Sequence, residues 1–85
     1  MSKQYIYPES CSLTNITVGS KVQVLKLLST GLPRRRMLDL GIIPGTIISV
    51  VRKSPLGDPV AYNIRGALIA LRKEESDQIL VKLIN

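Results

Sequence analysis

A chain of 85 residues can bury one small core and not two, so a single domain is expected. Twelve Lys and Arg against six Asp and Glu leave a net charge of +6, which points to an anionic counterpart: phosphates, a lipid surface or an acidic protein face. With no histidine and only Cys11, the chain excludes an intrachain disulfide and lacks the usual donors for a transition-metal site, an activated nucleophile or an acid–base pair.

A binding module is therefore expected, without enzymatic activity, bound metal or cofactor. Hydrophobic residues make up 45% of the chain, yet it holds three Tyr and no Phe or Trp, so the core must be aliphatic. The single cysteine and the lack of a signal-like leader suit a reducing cytoplasm. No apolar run approaches the roughly 20 residues of a membrane span, so any tie to a membrane is expected to run through a partner.

Residues 1–12 (MSKQYIYPESCS) are mixed, polar and broken by Pro8, and read as an N-terminal arm ahead of a domain over residues 13–85. Within the arm, Tyr5, Ile6 and Tyr7 could add an edge strand, and the lone Cys11 carries no expected role. Leu13 and Ile16, three apart behind Ser12, suit one helical turn, and Gly19-Ser20 turns the chain. Residues 21–28 (KVQVLKLL) alternate as a half-buried strand until the phase slips near Lys26, where a bulge or strand end is expected.

A helix barely two turns long is expected next, with Pro33 at its first position and Gly41 ending it. Pro44-Gly45 fits the centre of a type II turn. Residues 46–53 (TIISVVRK) are dense in β-branched residues and read as a strand. A breaker-rich loop, SPLGDP, follows. Val60, Tyr62 and Ile64 alternate as another strand, and Arg65-Gly66 offers a tight hairpin into residues 67–72. A polar turn of helix over residues 73–77 and a last strand on Ile79, Val81 and Leu83 complete the pattern. About five short strands with one or two short helices, in so few residues, point to a mainly β fold, a small SH3-like barrel.

The segments LTNITVGSKVQVLKL and RRRMLDLGIIPGTIISVVRKSPLGDPVAYNIRGALIALRKEESDQILV together resemble the FeoA family of bacterial ferrous iron transport. The likeness rests on an arginine-led helix ending LDLG, a Pro-Gly turn, the SPLGDP loop and the G-x-x-I-A-L-R hairpin in order. It runs from about Leu13 to Val81. It implies an SH3-like domain in an accessory or regulatory protein that works with FeoB, the membrane Fe(II) transporter with a cytoplasmic GTPase region. The protein would be cytoplasmic, recruited to the inner face of the membrane by that partner, without inserting into it.

Three arginines stand where the helix begins, the end at which backbone dipoles disfavour cations. Arg35 and Asp39, four apart, could pair. Arg36 is expected to pack its stem and donate to backbone carbonyls of the barrel, leaving Arg34 and Arg35, with Leu32 and Leu56, to face an acidic partner. Met37, Leu38 and Leu40 are expected to plug one end of the barrel. Gly41, Pro44, Gly45 and Gly66 are expected to set the backbone path. Residues 72–75 read as a solvated charged face. A nucleic-acid-binding barrel is the alternative, supported by charge and opposed by scattered tyrosines. Self-association remains open.

Overall fold

The computed structural model describes residues 10–84. Six strands and two short helices follow one another: β1 (Ser10–Ser12), a 3₁₀ turn (Leu13–Asn15), β2 (Lys21–Leu27), α1 (Gly31–Asp39), β3 (Ile47–Lys53), β4 (Val60–Ile64), β5 (Ala67–Leu71), α2 (Lys73–Ser76) and β6 (Ile79–Leu83). All pair antiparallel in one sheet of order β1-β6-β2-β3-β4-β5, so β1 and β5 are the two edges.

Period-two alternation places Val22, Val24, Ile48, Val50, Tyr62 and Ile64 on one face, where they meet Leu13, Ile79 and Val81 in an almost wholly aliphatic core. Two bulges bend the sheet around that core. One falls between Val24 and Lys26, where the β2 alternation slips, so that Leu27 becomes the next buried residue. The other lies between Val50 and Arg52 in β3. Each adds a residue to one strand and sharpens its twist, which curls a six-stranded sheet into a barrel.

One strand more is present than the alternation suggested. Ser10–Ser12 pairs with residues 80–82 of β6 although it lies inside the stretch read as an arm. Cys11 packs against the core, and the Ser12 hydroxyl donates to the Asp77 carbonyl at 3.1 Å. Three residues are too few to show an alternation, so tertiary pairing alone makes this strand. Tyr5, Ile6 and Tyr7 lie outside the described residues.

Helix α1 starts earlier than Pro33. Extended Thr30 is its N-cap, which puts Pro33 in the third helical position rather than the first. The shift costs nothing, because the first-turn N–H groups have no intrahelical acceptor and proline lacks only that group. Arg36 consequently falls in the last turn, where the helix dipole favours a cation. Only Met37 of the expected plug is fully buried; Leu40 packs partly against the core. Leu38 does not belong to the plug: it points outward, 38% exposed, because a helix this short presents a single residue per turn to the barrel.

Past α1, Gly41 adopts φ +88°, and the Thr46 hydroxyl donates to its carbonyl at 2.8 Å. A Cβ on Gly41 would sit 2.5 Å from Arg65 Cδ. Gly41→Ala therefore combines a left-handed backbone with a crowded neighbour, and is expected to cost about 1–2 kcal/mol. Thermal unfolding should show a fall of roughly 4–8 °C per kcal/mol, and an unmoved midpoint would contradict this account of the turn. Pro44-Gly45 closes as expected, with Gly45 at φ +96° and the Thr46 N–H donating to the Ile43 carbonyl at 3.0 Å.

Candidate functional site

A groove of about 950 Å³ lies between α1, the open edge of β5 and α2. Leu32, Pro33 and Met37 of α1 form one wall. Ala70 and Arg72 with Pro59 form the other, and Leu28 and Ser29 lie at the end of β2. Leu32 is 82% exposed, and Leu28 and Ala70 are exposed as well. An apolar surface gathered in a cleft and rimmed by charge is the form of a protein-binding site. The Ser29 hydroxyl is buried and has no hydrogen-bond partner among the described residues, so the fold leaves one polar group on this wall unspent.

The rim is tied together by ion pairs that sequence spacing could not anticipate. Arg36 pairs with Glu75, joining α1 to α2 across the groove. Glu75 also accepts from the Arg72 N–H at 2.9 Å, which caps α2, while Asp58 accepts from the Lys73 N–H at 2.8 Å and anchors the SPLGDP loop to the same helix. Arg72, Lys73 and Glu75 are thus held by specific partners, while residues 72–74 stay exposed. Glu75→Gln keeps the cap acceptor and removes the charge. It is expected to cost less than about 1 kcal/mol, with the loss fading in high salt, because Arg36 is half exposed. A larger, salt-independent loss in chemical denaturation would contradict that weight.

The contacts inside the fold differ from those expected of the arginines. Arg34, not Arg36, donates to a backbone carbonyl of the barrel, that of Leu27, at 3.4 Å. Arg35 forms no ion pair with Asp39 or any other acid among the described residues and stays exposed. Leu56 is 95% exposed at the tip of the β3–β4 loop, whose last residue, Pro59, lines the groove. Leu32 and the loop bearing Leu56 therefore flank one surface, while Arg34 is turned to the barrel. Ser29, Pro59 and Ala70 gave no signal in the sequence, since small and turn-forming residues become a groove wall only through the fold.

Tyr62 is buried, its hydroxyl beside Ser76, and burial pushes its phenol above the usual range. It offers no face for base stacking; Tyr5 and Tyr7 lie outside the described residues. Asp77 is held below the usual carboxylate range by the Thr14 hydroxyl and the Lys73 ammonium beside it. Among the described residues, no three His, Cys, Asp or Glu side chains cluster as metal donors, and no helix is long and apolar enough to cross a membrane.

A single bent antiparallel sheet with an apolar groove beside one open edge defines a small SH3-like barrel domain. The chain belongs to the FeoA domain family, whose model matches residues 11–83. It is 34% identical over 73 residues to an Fe(2+) transport protein A/Fe(2+) transporter FeoB fusion protein of Porphyromonas gingivalis. That match covers 86% of this chain but 9% of the fusion protein. The solution structure of a FeoA-like protein from Clostridium acetobutylicum superposes with a TM-score of 0.85 at 35% identity, covering 93% of this chain and 92% of the other. A zinc complex of Stenotrophomonas maltophilia FeoA, described as a prokaryotic SH3 domain protein, shares the fold: TM-score 0.75, 23% identity, and 84% and 88% of the two chains covered.

Proposed function

We propose that this protein is an accessory, regulatory component of ferrous iron uptake that docks on the cytoplasmic part of a FeoB-type Fe(II) transporter. The observation that carries the reading is the fusion, in Porphyromonas gingivalis, of a domain 34% identical to this chain with such a transporter. Two domains joined in one polypeptide meet at high effective concentration, and separate chains doing the same work need an interface of their own. The groove beside α1 supports this reading: Leu32 and the loop carrying Leu56 offer apolar contact, and Arg35 offers a charge with no ion pair among the described residues. Ferrous iron is the cargo of the partner, not a ligand of this domain.

Calorimetric titration of the transporter's cytoplasmic region with this protein tests the reading. Saturable binding that weakens as salt rises is expected, because an exposed cationic surface contributes to encounter and is screened within about 10 Å at 0.1 M salt. Absence of binding at low salt would contradict it. The same titration against single-stranded RNA separates this reading from a nucleic-acid module, for which tight binding with a steep salt slope would be required.

A further inference from the structure

Among the described residues the sheet stops at β5, whose neighbour in the strand order is β4 alone. The two-residue Arg65-Gly66 turn, with φ of 55° and 87°, makes Ile64 and Ala67 a hydrogen-bonded pair. Strict alternation then assigns the remaining bonds to Tyr62 with Ile69 and Val60 with Leu71. The N–H and C=O groups of Leu68 and Ala70 consequently point away from β4, along the free edge, and no backbone bond elsewhere among the described residues engages them. Edge strands are commonly blunted by Lys, Pro or a bulge. β5 reads Ala-Leu-Ile-Ala-Leu, runs in unbroken register with β4, and exposes Leu68 at 56%.

Helix α1 shares the groove with this edge. Its Leu32 lines the groove with Ala70 and Arg72, while Gly41, just past its end, packs against the side chain of Arg65. We propose that β5 accepts an extended segment of the partner as a seventh strand. Apolar side chains of that segment alternate into the groove, and its acidic residues meet Arg65 and Arg72 at the two ends of the edge. Arg65 has no ion pair among the described residues, and Arg72 lies 3.9 Å from Asp58. Charge also argues against a second copy of this chain in that place. With Leu68 opposite Ala70 of the copy, Arg72 would fall opposite Gly66, next to the copy's Arg65, and like charges so placed repel.

The proposal rests on the docking reading above, and the transporter's cytoplasmic region is the probe. Amide exchange followed by NMR should show Leu68 and Ala70 slowed about tenfold or more in the complex, with a smaller change at Ile69, which already bonds to β4. Ala70→Pro removes an outward N–H without touching the bonds to β4. It should weaken binding by about tenfold while the melting temperature holds. Binding that leaves Leu68 and Ala70 unprotected and tolerates Ala70→Pro would overturn strand addition and leave the docking reading standing. No binding by the native protein would overturn both. A concentration-dependent dimer with these two amides protected would assign the edge to a second copy and overturn the proposal.

Discussion

Replacing Leu32 by Asp is expected to weaken binding to the transporter's cytoplasmic region by at least tenfold, about 1.4 kcal/mol, without lowering the melting temperature. Leu32 is 82% exposed in the first turn of α1 and contributes nothing to the core cluster. Surface substitutions of that kind stay within about 0.5 kcal/mol of neutral. A carboxylate there even gains slightly from the positive end of the helix dipole. Binding behaves differently, because an apolar anchor in a cleft carries a disproportionate share of interface energy, and a new anion beside an acidic segment repels it. Unchanged affinity would remove Leu32, and with it the groove wall, from the interface.

Five residues further along the same helix the effect is reversed. Met37→Ala should cost about 3 kcal/mol, because Met37 is 3% exposed and is the α1 residue that closes the barrel end. For a domain of this size that is roughly a 15 °C fall in the melting temperature. The Met37 carbonyl also accepts from the N–H groups of Leu40 and Ile42. Alanine keeps that carbonyl, so the loss falls on the core packing of the side chain. Circular dichroism melts of the two variants side by side should separate them cleanly. A Met37→Ala protein as stable as the native one would mean that α1 rests on the barrel without sealing it.

These contrasts show where the sequence was legible. Strands β2, β3 and β4 were readable because alternation of β-branched residues is a local property, and even the bulge in β2 announced itself as a phase slip at Lys26. The Gly41, Pro44-Gly45 and Arg65-Gly66 turns were readable because their backbone conformations suit few residues. β1 was not, since Ser-Cys-Ser becomes a strand only when Lys82 and its neighbours lie alongside.

The arginines were legible least of all. Local spacing offered Asp39 to Arg35, whereas the structure gives Glu75 to Arg36 and the Leu27 carbonyl to Arg34, partners set by the docking of α1 across the barrel end. Of the three, Arg35 alone has neither a carbonyl nor an acid within reach among the described residues. Three cations near a helix start cease to be anomalous once the helix begins at Gly31 and places Arg36 in its last turn. The groove followed the same logic. Leu32 could be suspected as an apolar residue without a pattern, but Ser29, Pro59 and Ala70 joined it only through the fold.

The proposed docking on a FeoB-type transporter runs through the surface between α1 and β5. Parallel calorimetric titrations of the transporter's cytoplasmic region with the native protein and with Leu32→Asp test it most directly. Saturable binding is expected for the first and at least tenfold weaker binding for the second, at equal melting temperatures. Equal affinity for both proteins, or no binding by the native one, would contradict it.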